Sequence, residues 1–317
     1  MESQLDIDLE YGEALTAHER DHSHGRLWHN AFAASRVNDF YELTKPRMNL
    51  LVVLTTAVGF YMASPGAIEW LLLLHTALGT ALTAAGAAVL NQLVERDFDK
   101  LMPRTKNRPL PAGRVSPIEA LLYGTILGVS GVGYLAMLVN PLTATLGAVT
   151  LLSYLFIYTP MKRWTTLNTV IGAVPGAIPP MMGVTAVTGV LSVQAISLFA
   201  ILFFWQMPHF LAIAILYRQD YAAGGFKMLP VVDEDLSCTG HQIVLYALAL
   251  VPASLMPVMA HMAGAMYFAA AVVLGLMFLG YGIACAVRKT RVDAKKLFFA
   301  SIIYLPLLLL VMMIDRV

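Results

Sequence analysis

The chain has 317 residues, of which 58% are hydrophobic and only 13% charged. A soluble domain carries about 25% charged residues, so a water-soluble globular class is excluded and a membrane protein is indicated. The net charge of +1 is uninformative alone; its distribution along the chain is not.

Residues 1–44 are polar, with Glu2, Asp6, Asp8, Glu10, Glu13, Glu19 and Asp21 set against Arg20, Arg26 and Arg36. No apolar stretch there suits a signal peptide, and the acids argue against a mitochondrial presequence. The segment reads as a polar cytoplasmic leader. His18, His22, His24 and His29 could ligate a metal, but a solvated tail is the better reading of them.

From residue 45 to 317 the chain reads as one intramembrane domain. Apolar runs of about 20 residues, each long enough to span a bilayer, fall near 48–64, 69–90, 118–137, 141–158, 168–187, 194–217, 240–259, 262–286 and 297–314. Continuous runs without alternation exclude a β-barrel. Helices then satisfy the backbone in lipid, so the expected fold is all-α with about nine spans. Twenty of the 21 Lys and Arg lie in the N-terminal segment, at the first span's start, or after the second, fourth, sixth and eighth spans. The positive-inside rule puts those segments in the cytoplasm, and Arg316 alone on the far side. Cys238 and Cys285 are not spaced as metal ligands and read as structural.

After the second run, residues 91–114 ("NQLVERDFDKLMPRTKNRPLPAGR") carry nine charges in 24 positions. If the helix continues through them, Asn91, Glu95 and Asp99 advance about 40° per step of four residues and share one face. A carboxamide and two carboxylates there suit Mg²⁺, which usually binds through one or two carboxylates and substrate phosphates. The bases that follow, Arg104 and Arg108 among them, can hold the same phosphates. A juxtamembrane loop touching anionic lipid would explain the bases but not the acids. Two later loops repeat the chemistry: "YTPMKR" offers Tyr158, Lys162 and Arg163, and "YRQDYAAGGFKMLP" offers Arg218, Asp220, Tyr221 and Lys227.

"NxxxERDxDxxMxRTxxRPL" from Asn91 to Leu110, "YxxxKR" and "DYxxxxxxMLPV" from Asp220 to Val231 together resemble the intramembrane prenyltransferases of the UbiA superfamily. "GAVPGAIPP" (172–180) and "WQMPHFLAIAI" (205–215) are similar to its protoheme IX farnesyltransferase (heme O synthase) branch. The likeness runs from about Lys45 to the end. It departs from the usual NDxxDxxxD at Gln92 and Glu95, and Asp220 stands apart from Asp233, Glu234 and Asp235.

The resemblance implies a UbiA-type bundle, and the polar, acid-bearing N-terminal segment reads as that of a bacterial inner-membrane protein. The implied reaction joins farnesyl diphosphate to a vinyl group of heme b and adds water. It further implies Mg²⁺ on Asn91, Glu95, Asp99 and Asp220, with Asn91, Glu95, Asp99 and Lys162 in the catalytic set. Arg104, Arg108, Tyr158, Arg163, His209, Asp220 and Lys227 would bind substrate, and Tyr154, Tyr158 and Trp205 could face an allylic cation. His209 could ligate heme iron, a reading set ahead of a histidine bonded between helices because Gln206 and Pro208 mark a locally unusual helix; His75 and His261 have no such company and read as structural. The expected partners are membrane lipid and a candidate heme A synthase, with no nucleic acid. Other readings are a prenyltransferase for a quinone precursor, an anion transporter, and a non-catalytic assembly factor for an oxidase.

Overall fold

The computed structural model describes residues 35–317; the four N-terminal histidines lie outside them. Among the described residues the architecture is helical. A segment at 35–43 is followed by nine long helices: α1 Pro46–Ala63, α2 Trp70–Asp99, α3 Pro117–Leu138, α4 Pro141–Trp164, α5 Asn168–Thr188, α6 Val193–Leu216, α7 Ser237–Met259, α8 Ala265–Arg288 and α9 Arg291–Ile314. Eight are long and apolar enough to cross a membrane. The remaining one, α1, opens with Arg47 and Asn49 and is built into the bundle. About nine spans agrees with this count.

Helix limits follow local chemistry. Ser116 accepts from the Glu119 N–H while Glu119 reaches back to the Ser116 N–H, a capping box that starts α3 with Pro117 in its first turn. Asn140 caps α4 ahead of Pro141, and Gly189 ends α5 at φ +67. The second helix runs nine residues beyond its apolar stretch, to Asp99. Its charged tail is therefore the last turns of a rigid rod.

Two groups of helices make the bundle. In one, α2 packs on α3, α3 on α4, α4 on α5, and α5 on α1, which returns to α2; in the other, α6, α7, α8 and α9 close a second ring. The groups meet at α5 and α6, and α5 is the most buried span, at 72% of its apolar window. The glycines and prolines of 172–180 allow close helix approach there. A Cβ on Gly176 would stand 2.1 Å from Gln206 Oε1, and one on Gly183, 1.9 Å from the Thr56 carbonyl. Leu50, Leu54, Leu74, Ile126, Val129, Leu245 and Val273 are exposed around the outside, where lipid is their solvent.

A charged candidate active site at one end of the bundle

Because α2 stays helical to Asp99, Asn91, Glu95 and Asp99 lie on one face, all buried, while Asp97 points outward to Arg96 and Lys100. Each buried acid carries its own base. Glu95 Oε1 accepts from Lys162 Nζ at 2.6 Å, and Asp99 Oδ2 from Arg108 Nη1 at 2.8 Å. A carboxylate taken out of water survives charged only with such a partner. Asn91 donates to Thr159 Oγ1 at 3.0 Å and accepts from Lys45 Nζ at 3.3 Å.

The loops converge through apolar and aromatic contacts. Met102, from the α2–α3 loop, is buried with Phe226 and Met228 of the α6–α7 loop. Arg104 lies over the rings of Tyr217 and Tyr221, at 4.8 and 5.2 Å, and Arg163 over Phe98 at 4.2 Å; these are cation–π contacts. The Lys227 N–H donates to the Lys162 carbonyl at 2.7 Å, and the Lys227 carbonyl accepts from Asn168 Nδ2 at 2.9 Å. These bonds tie the α6–α7 loop to the end of α4 and the start of α5, with Lys227 exposed. Asp220, half-buried on the short helix Arg218–Ala223, shares that helix with Tyr221. Among the described residues no three of His, Cys, Asp and Glu gather as a metal-holding group.

Near its end α4 widens into a π turn over Ser153–Tyr158. Pro160 causes it, since it has no N–H and its ring crowds the carbonyl four residues back. The Thr159 N–H instead reaches the Tyr154 carbonyl, five residues back, as does its hydroxyl at 2.8 Å. Such turns recur at functional sites. Here it leaves the Tyr154 and Tyr158 rings 5.2 Å apart, with Lys162 Nζ 4.5 Å from the Tyr158 centroid. Gly172 on α5 makes the room: its Cβ would stand 2.4 Å from the Tyr158 ring.

His209 lies on α6, seven residues or about 10 Å of rise from the helix end. Its Nδ1 pairs with Ser301 Oγ at 2.7 Å, and its ring stacks between Trp205 and Phe298. The Trp205 indole N–H is committed to the Ser301 carbonyl at 2.9 Å. His75 pairs with Tyr134 at 2.8 Å, far from this end of α2. His261 sits at φ +50 in the α7–α8 connection, and both cysteines are free thiols.

Sequence reasoning passed over Lys45, Thr159 and Ser301. Lys45 alone had a signal, a cation directly before Pro46 at the edge of the first apolar run. Partial burial, with Arg108 and Lys162 also nearby, pulls its ammonium down from the usual lysine range to about 8, against the upward pull of Glu95 and Asp99.

Residues 52–303 match the model of the UbiA prenyltransferase family. The chain is 46% identical over 289 residues to a protoheme IX farnesyltransferase of Solibacter usitatus (strain Ellin6076), covering 88% of this chain and 99% of that one. It is 47% identical over 281 residues to a protoheme IX farnesyltransferase of Myxococcus xanthus (strain DK1622), covering 88% and 95%. Two solved structures share its fold. A digeranylgeranylglyceryl phosphate synthase has a TM-score of 0.73 at 16% identity, covering 89% of this chain and 98% of that one. A UbiA homolog from Archaeoglobus fulgidus bound to GPP and Mg²⁺ has 0.59 at 17%, covering 86% and 99%.

Proposed function

The chain belongs to the UbiA prenyltransferase family, and from that premise we propose that it joins the farnesyl group of farnesyl diphosphate to a vinyl group of heme b. Water adds in the same conversion, giving heme O and diphosphate. The activity for which both bacterial relatives are named supports this reading. In the structure, the observation that carries it is the pairing of each buried acid with a base, Glu95 with Lys162 and Asp99 with Arg108.

That pairing suits a site that receives a cation and a polyanion together. Arg104, Arg108, Lys162 and Arg163, with Lys227, hold the diphosphate by charge-assisted hydrogen bonds. With Lys162 and Arg108 drawn to phosphate oxygens, Glu95, Asp99 and the Asn91 carbonyl oxygen would be the groups to hold a divalent cation. Two carboxylates and a carboxamide are a fitting protein share for Mg²⁺, the substrate phosphates providing other ligands; Asp220 is the candidate third carboxylate. When bound, Mg²⁺ would neutralise charge on the departing diphosphate.

The bases do the same from the protein side, stabilising charge where it develops. The C1–O bond breaks and its electron pair leaves with diphosphate. Tyr154 and Tyr158 present ring faces to the resulting allylic cation, with Trp205 a further aromatic candidate deeper in the bundle. The vinyl π electrons form the new carbon–carbon bond, and water captures the cation beside the porphyrin with loss of a proton. His209, its Nδ1 engaged by Ser301, has Nε2 to offer heme iron, and the Trp205–Phe298 stack holds the ring plane. The basic distribution supports a cytoplasmic position for this face, in a bacterial inner membrane.

The test is a reaction in detergent with heme b, farnesyl diphosphate and Mg²⁺, followed by mass spectrometry of extracted hemes. A farnesylated, hydrated heme that disappears with Asp99→Ala is expected. Diphosphate release without modified heme would move the reading to another acceptor, such as a quinone precursor. No Mg²⁺-dependent turnover by folded protein would favour transport or assembly.

A further inference from the structure

On the reading that the charged site binds a diphosphate, we propose that Lys45 is a further diphosphate-binding residue, delivered into the site by a strained backbone turn. Lys45 sits at φ 49, ψ 59, in the left-handed region, directly before Pro46. Left-handed backbone is costly for a residue with a side chain, and a residue before proline is normally extended. Leu236, His261 and Lys289 also have positive φ, but none of them precedes a proline.

Contacts on both sides hold the turn. Upstream, Leu43 is fully buried against the α2–α3 region, and its carbonyl accepts from Gln92 Nε2 at 2.7 Å. Buried Asp39 accepts from Arg114 Nε at 2.7 Å, and Arg36 pairs with Glu119. Downstream, α1 is locked to α5 by Gly59 and Gly183, where a Cβ would clash with backbone. Strain that the surroundings impose tends to occur where function uses the result. Here the result is an ammonium 3.3 Å from Asn91 Oδ1, with Glu95, Asp99, Arg108 and Lys162 around it.

Asn91 Oδ1 is the carboxamide's only acceptor, because Nδ2 donates to Thr159. A divalent cation bound to that oxygen would repel the Lys45 ammonium beside it. When the cation arrives with its diphosphate, Lys45 is displaced onto the phosphate oxygens beside it. It joins Arg108 and Lys162, which change partners in the same way. Lys45 thus approaches the diphosphate from the start of α1, a segment that supplies none of the loop arginines.

The left-handed φ separates binding from folding. Glycine adopts this conformation without penalty, so Lys45→Gly should melt no lower than the wild type. It should nonetheless bind inorganic pyrophosphate in Mg²⁺ about tenfold or more weakly by calorimetry, the loss expected for one charge-assisted bond. Its KM for farnesyl diphosphate should rise with it while KM for heme b stays put, and Lys45→Arg should recover part of the affinity. Lys45→Gly protein that binds pyrophosphate as tightly as wild type would overturn the proposal. So would an affinity loss that comes only with a lowered melting temperature. Wild-type protein that does not bind pyrophosphate in Mg²⁺ would defeat the diphosphate reading itself, and this proposal with it.

Discussion

Glu95 is 9% exposed and Lys162 14% at the side chain, so removing one partner strands the other. Breaking a buried pair costs about 3–5 kcal/mol, whereas replacing both partners can be nearly neutral. Lys162→Met should therefore lower the melting temperature sharply, and Glu95→Gln combined with Lys162→Met should restore most of it. Both variants should stay inactive, since neither keeps the acid and base that the chemistry needs. A double-mutant cycle on stability and turnover reads this directly; a stable, active double variant would remove the pair from the mechanism. The acid face was legible in the sequence because spacing of four residues has one meaning on a helix. Which base meets which acid was not: Lys162 is 67 positions from Glu95.

Among elements, the informative one is the widened turn of α4. Pro160 forces it, and the Tyr154–Tyr158 arrangement depends on the extra residue in that turn. Pro160→Ala restores an N–H and allows ordinary helical bonding, which would rotate the two rings relative to Lys162. Turnover should fall at least tenfold with thermal stability unchanged or raised, checked by heme assay and melting in detergent. Unchanged turnover would mean that the ring positions do not matter. The proline is visible in the sequence, but its effect was not, since proline also marks simple helix starts, as at Pro46, Pro117 and Pro141. Choosing between a kink, a cap and a widened turn takes the carbonyls that the proline actually meets.

For the whole molecule, the charge distribution predicts one orientation. Cys238 is exposed at the start of α7, at the charged end, while Cys285 is buried. A membrane-impermeant thiol reagent should label Cys238 in inside-out vesicles and leave it unlabelled in intact right-side-out ones. The reverse pattern would place the charged site outside and contradict the positive-inside reading.

Sequence alone determined the membrane class, the helical fold with its approximate spans, and the candidate chemistry. Each is a matter of composition or local period, and lipid leaves helices with continuous apolar runs no other way to satisfy their backbone. Tertiary structure decided the rest. Residues 35–43 pack on the bundle and carry Lys45 to Asn91. The glycines of α5 set helix distances, Tyr158 fits against Gly172, and His209 rests between Trp205 and Phe298. These depend on residues tens to hundreds of positions apart meeting at contact distance. A period along one helix cannot specify what lies across from it.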